Sequence, residues 1–312
     1  MLKKRMMEIQ RISADDYCEL FPKPIHAYNG VSFCELNAWK CEDIHYLTCV
    51  DKGVRLGIVL GQKDGVLYNP FSSPFGGFDI RGKENVDCYE NAVSLLKEYV
   101  GKRSIRITLP PAFYAESHIS MTFSALMRAG AQLQYSDMNF QYDLRKVPEY
   151  ESYLERSARK NFHNSTKNQF EFIKMDSSVD TEVERAYMVI KCNRDSKGYP
   201  LRMTLQNVLD TIKIIPADFF VLSFEQQDVA AAQVFHVSDE ICQVVYWGDV
   251  PGFAEKRVMN YFTYKVMEYY FQQGSSILDI GPSTENGIPN YGLCRFKYNI
   301  GCDISLKHTL LL

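Results

Sequence analysis

Ser276-Ile277-Leu278-Asp279-Ile280-Gly281-Pro282-Ser283 reads as a short apolar strand running into a Gly-Pro turn. Before it, Arg257 to Gln273 spaces as a helix that stops at Gly274. After it, Tyr291 to Ile300 reads as a shorter helix closed by Gly301, and the strand Asp303 to Leu311 ends the chain. The same series stands earlier. Ser104 to Leu109 is a strand stopped by Pro110-Pro111. The helix before it spans Val86 to Val100, with apolar residues at 92, 93, 95, 96, 99 and 100, and the helix after it, Ser117 to Ala129, ends at Gly130. Ala131 to Leu144 then supplies one or two strands. Pro111 and Pro282, Tyr99 and Tyr270, and Gly130 and Gly301 are each 171 residues apart. A shared offset with a shared order of elements marks one plan used twice.

Working outward, each series is preceded by a meander. Ile44 to Val50, Val54 to Gly61 and Val66 to Asn69 read as strands in the first half, with Lys63-Asp64-Gly65 as a hairpin turn. Phe219 to Glu225, Val229 to Val237 and Ile241 to Trp247 are their counterparts. Pro148 marks a boundary, and a helix from Tyr150 to Lys167 carries apolar residues at 150, 154, 158 and 162. Strand Phe170 to Met175 and helices Thr181 to Ser196 and Thr204 to Ile214 follow. The expectation is an α/β (α+β) chain of two domains, 1–147 and 148–312, each a mixed sheet flanked by helices.

Composition sets the bounds. With 312 residues, 46% hydrophobic and 23% charged, the chain has enough apolar material for a buried core. A formal net charge of −3 excludes a general polyanion binder, and nothing in the sequence points to DNA. Nine cysteines form no Cys-x-x-Cys pair, which fits reduced thiols better than a disulfide framework and leaves no metal site by ligand spacing. Lys3, Lys4 and Arg5 are not followed by an apolar leader core, and no stretch is long and apolar enough to span a membrane. A cytoplasmic location is expected. No P-loop, dinucleotide or nucleophile-elbow fingerprint is present.

Three local pieces carry a resemblance. They are the loop Ser73-Pro74-Phe75-Gly76-Gly77, the basic helix with Arg156, Arg159, Lys160, Asn161 and Asn164, and Arg295-Phe296-Lys297-Tyr298-Asn299-Ile300-Gly301. With the order of elements, they resemble the FemAB-like acyltransferases, which are two tandem GNAT-like acyl-CoA N-acyltransferase domains. The resemblance covers roughly 44–312. It implies transfer of an acyl or aminoacyl group from an activated donor to an amine, with no tightly bound cofactor. The donor is either acyl-CoA or aminoacyl-tRNA. Typical GNAT loops for acyl-CoA read Arg/Gln-x-x-Gly-x-Gly/Ala. Here the corresponding stretch is Val250-Pro251-Gly252-Phe253-Ala254-Glu255-Lys256-Arg257, with one glycine, so Gly252, Lys256 and Arg257 are the residues left to meet a donor pyrophosphate.

Each candidate residue has a plain alternative. Lys297 is either the cation that stabilises an oxyanion or phosphate, or a lysine that solvates a helix. Arg156, Lys160, His163 and Lys167 form either an anion-facing stripe, with Arg159 and Lys160 meeting substrate, or an ordinary basic helix end. Ser73, Phe75 and Gly76 are either a groove wall or a turn. Ser283 and Asn286 follow a strand end, where α/β folds place ligands, and Arg295 lies beside Lys297. Asp279 and Tyr246 are either catalytic or satisfied structural groups. Two rival functions remain open: a non-catalytic binding protein on the duplicated fold, and an aminoacyl-tRNA-dependent peptidyltransferase acting on a cell-wall precursor.

Overall fold

A computed structural model describes residues 7–312 and divides them into two compact units. Residues 1–6, with the basic Lys3, Lys4 and Arg5, lie outside the described residues. Among the described residues, the first unit comprises 7–138, 286–288 and 305–312, and the second 139–285 and 289–304. The division therefore falls before Asn139 rather than at Pro148, and most of the last strand belongs to the first unit.

In the first unit β1 (Glu8–Ile12), α1 (Ala14–Leu20) and α2 (Val31–Leu36) precede the meander β2 (Asp43–Asp51), β3 (Gly53–Lys63) and β4 (Val66–Asn69). A short β5 (Asp79–Ile80) pairs with β3. Then come α3 (Val86–Val100), β6 (Ile105–Thr108), α4 (Glu116–Arg128) and β7 (Gln132–Asp143), which is one strand and not two. The Asn85 side chain caps α3 by accepting from the Cys88 N–H, and Ala92, Val93 and Leu96 on the inner face of α3 are wholly buried. They pack with Ile119 and Leu126 of α4 on Leu47, Leu56, Ile58, Leu67, Ile105 and Ile107. Tyr17, Phe21 and Cys34, from α1, α2 and the turn after α1, form a smaller core with Tyr46 and Val59.

The second unit repeats the order. A 3₁₀ segment (Leu144–Tyr153) and α5 (Arg156–Ser165) lead to β8 (Phe170–Met175), α6 (Asp180–Lys197) and α7 (Leu205–Ile212). The meander β9 (Ala217–Phe224), β10 (Gln227–His236) and β11 (Ile241–Asp249) precedes α8 (Val258–Gln272) and β12 (Ile277–Pro282). A small hairpin, β13 (Thr284–Glu285) and β14 (Ile288–Pro289), leads to α9 (Tyr291–Asn299) and β15 (Asp303–Leu311). Gly130 and Gly301, at φ +92° and +86°, make the matching left-handed turns out of α4 and α9. The helix expected from Tyr150 begins only at Arg156. Leu154 and Glu155 are extended (ψ 135° and 149°), and the Glu155 N–H donates to the Asn299 carbonyl, which competes with helix continuation.

Strand pairing gives the exchange its physical form. In the first unit β1, β2, β3 and β4 pair antiparallel in sequence, β4 pairs parallel with β6, and β6 pairs antiparallel with β15 through Thr108↔Thr309, Ile107↔Leu310 and Arg106↔Leu311. In the second, β8 to β11 form the meander, β11 pairs parallel with β12, and β12 pairs antiparallel with residues 139–143 of β7. Leu310, 1% exposed, is thus a member of the first unit's core although it stands in the last strand, after the second unit.

Leu310→Ala should therefore cost about 2–5 kcal/mol by the cavity it leaves. Hydrogen exchange should show the loss of protection in β2, β3, β4 and β6. A loss confined to α6 and α8 would refute this placement of the strand.

Candidate functional site

In both units a parallel strand pair opens after three registers. β11 and β12 pair through Ile241↔Ile277, Cys242↔Leu278 and Gln243↔Asp279, and β11 then runs on to Asp249. A break at the Gln233/Val234 register of β10 accompanies the divergence of β11. The C-terminal ends of diverging parallel strands are where α/β sheets leave room for ligands.

Lys297 lies at that end of the second unit. It is 4% exposed, and its Nζ donates to three backbone carbonyls, Ile280 at 2.9 Å, Gly281 at 2.8 Å and Pro282 at 3.2 Å. An ammonium has three N–H donors, so these bonds use them all. The Phe140 ring lies 5.4 Å from Nζ. Burial pushes the Lys297 ammonium down to about 8, opposed by Cys302, Asp279 and Cys294 and reinforced by the charge of Arg194. Lys297 is consequently a buried clamp on the end of β12, not a surface lysine.

Asp279 is fully buried and accepts from Asn139 Nδ2 at 2.7 Å, Gln243 Nε2 at 2.6 Å and the Gly281 N–H at 2.9 Å. Those donors hold the strand end in place. Next along the chain, Ser283 is 4% exposed and its hydroxyl has no hydrogen-bond partner, while its carbonyl accepts from the Asn290 N–H at 2.9 Å.

Arg194, in the last turn of α6, was not singled out from the sequence. Its guanidinium lies 5.1 Å over the Tyr246 ring, its Nε is buried without a hydrogen-bond partner, and burial lowers its pKa. The only sequence signal was a basic residue near a helix C-terminus, which the dipole already explains. Neighbouring Asn193 donates to the Asp249 carbonyl at 2.6 Å and leaves no space for a side chain at Gly248, which seats α6 on β11. Arg194, Tyr246, Ser283 and Lys297 thus bring two cations, an aromatic ring and an unpaired hydroxyl to one end of the second unit.

The remaining sequence candidates lie elsewhere. Arg159 donates to the carbonyls of Glu151 at 2.9 Å and Leu154 at 3.2 Å, tying α5 to the turn before it, whereas Lys160 and Arg295 are exposed. Asn286 is exposed at φ +53°. Gly252 turns at φ +98°, Lys256 places its ammonium 4.9 Å over Phe224, and Arg257 adopts φ +55° immediately before α8. In the first unit Phe75 is 1% exposed and packs against His26, Tyr28 and Tyr114. Gly76 donates to the Thr108 carbonyl, and its close approach is to the Asn69 side chain. Ser73 lines a polar cavity of about 260 Å³ in that unit. Among the described residues no cluster of His, Cys, Asp and Glu could hold a metal ion, and no helix is long and apolar enough to cross a membrane.

No protein-family profile and no curated protein sequence matches the chain. Solved structures match over nearly its whole length. A crystal structure of FemX covers 97% of this chain and 96% of its own at TM-score 0.71 and 12% identity. The C-terminal domain of a putative lysylphosphatidylglycerol synthetase from Agrobacterium fabrum covers 96% and 92% at TM-score 0.61 and 11% identity. A tandem GNAT protein from the clavulanic acid biosynthesis pathway covers 98% of each at TM-score 0.51 and 8% identity. The chain has the tandem GNAT fold of FemAB-like proteins, the fold class expected from its sequence.

Lys297→Met should leave three carbonyls without their donor and lower stability by about 3 kcal/mol. The folded-state value of about 8 lies below the 10.5 of a free lysine. The wild type should therefore gain stability relative to the variant as pH rises from 8 towards 10.5, where the folded chain binds fewer protons than the unfolded one. Urea unfolding of both chains across that window measures the difference; a flat or falling difference would overturn the buried-ammonium assignment.

Proposed function

We propose that the protein is an acyltransferase, moving an acyl or aminoacyl group from an activated donor to an amine at the open end of β11 and β12. The observation that supports this reading most is that the strand end carries the buried Lys297 together with an unpartnered Arg194 Nε and Ser283 hydroxyl. Acyl transfer to an amine passes through a tetrahedral intermediate whose oxygen becomes an anion, and fixed donors and cations stabilise it. Arg194 and Ser283 have donors to give. Lys297, its hydrogens engaged, holds the carbonyls of 280–282 in position and contributes charge. Asp279 and Tyr246 are read as positioning groups in this scheme, and catalysis rests on alignment of amine and carbonyl more than on a strong base.

Acyl-CoA and aminoacyl-tRNA are the two donors to compare. The stretch from Val250 to Arg257, with left-handed turns at Gly252 and Arg257, offers a cationic approach for a donor phosphate through Lys256 and Arg257. The binding-protein reading draws support from one observation, the full engagement of the Lys297 ammonium.

A donor that binds the native state raises its melting temperature by mass action. Acetyl-CoA and charged tRNA are therefore titrated separately, and acyl transfer to a panel of amines is followed with whichever donor shifts the transition. Arg194→Gln should lower kcat/KM by roughly 10- to 100-fold, as removal of a charged donor does, with little change in melting temperature. No thermal shift with either donor and no transfer would leave the binding protein as the reading to adopt.

A further inference from the structure

The first unit opens at the equivalent place. β4 and β6 pair parallel through Leu67↔Ile105, Tyr68↔Arg106 and Asn69↔Ile107, and the chain then turns away at Pro70. Ile105 and Ile107 face the core under α3 and α4, so Arg106 and Thr108 point to the other face. There a cavity of about 260 Å³ is lined by Tyr68, Ser73, Arg106, Tyr135, Asp137 and Lys307, with Thr108 and Thr309 among its other walls. Under the 171-residue offset Thr108 corresponds to Asp279. In the second unit that position is filled by a carboxylate bonded to Asn139 and Gln243. In the first it is open and lined by hydroxyls and cations.

We propose that this cavity binds a small organic anion, a carboxylate or a phosphate monoester, of about amino-acid size. Charge points to the ligand class. The lining carries two cations, Arg106 and Lys307, against one carboxylate, Asp137. The Arg106 guanidinium meets a neutral partner, the Tyr135 hydroxyl, at 2.5 Å, and among the described residues it has no carboxylate in an ion pair. A guanidinium held by one neutral hydrogen bond retains N–H groups for a bidentate anion. Thr108 and Thr309 share one hydrogen bond at 2.9 Å, so one of the two hydroxyl hydrogens is left for a ligand. Tyr68 and Tyr135 give flat walls. The volume is large enough for a ligand of about amino-acid size.

The site belongs to the first unit and does not depend on the acyl-transfer reading, so it is tested by binding alone. Inorganic phosphate and N-acetylglycine, at up to about 20 mM, are titrated into the full chain by calorimetry. At least one is expected to bind, phosphate alone indicating a phosphate monoester, N-acetylglycine alone a carboxylate, and both the shared anion chemistry. Arg106→Gln should weaken binding about tenfold or more, and Arg106→Lys should recover part of it. Ser73→Phe, at the partly exposed rim, should abolish binding by filling the cavity while the melting temperature holds, which keeps the test decisive if Arg106→Gln does not fold. Absence of binding by either anion overturns the proposal, as does binding that survives both Arg106→Gln and Ser73→Phe.

Discussion

An unpaired sheet edge exposes a row of N–H and C=O groups that must find partners or water. Much of this structure follows from how two such edges are closed. The edge at β6 is closed by β15, the last strand of the chain, and the edge at β12 by the end of β7, a strand of the first half. The parallel pairs β4–β6 and β11–β12 then stay paired for three registers and diverge, and it is beyond those registers that the polar groups gather. The same edge closure puts Thr309 beside Thr108 and Asn139 beside Asp279, so the lining of each opening is in part a by-product of sheet completion.

What fills the two openings differs in kind. The second unit spends its hydrogen-bonding capacity internally: Asp279 takes three donors and Lys297 serves three carbonyls. Such a network is rigid because removing any member strands the others. Arg194 Nε and the Ser283 hydroxyl are among the buried groups of that unit with unspent capacity. The first unit keeps a cavity whose charges do not cancel. Duplication thus preserved the scaffold and let the two copies diverge at matching positions.

Local order was legible because periodicity and Gly or Pro punctuation report it directly. The helix Val86–Val100 and the strands Phe170–Met175 and Asp303–Leu311 fall on the bounds the sequence implies. The error over 150–167 is instructive. Tyr150, Leu154, Ala158 and Phe162 are all buried, at 3, 4, 3 and 6% exposure, so the four-residue spacing reported burial correctly while the backbone between the first two was not α-helical. The partners of β15 could not be read, because pairing across the chain leaves no local signature. At the site, Lys297 was found through its sequence neighbourhood. Arg194 reads as an ordinary helix-end cation, and Arg106, alternating with Ile105 and Ile107, reads as the outward residue of a half-buried strand.

The position of β15 also sets an order of events during synthesis. Most multi-unit chains complete their first-made unit while the rest is still being translated. Here the first unit gains its closing strand only with residues 305–312, after every residue of the second has been made. Residues 305–312 must be made before either the edge of β6 or the seat of Leu310 is filled. The half of the molecule that leaves the ribosome first is the last to become whole.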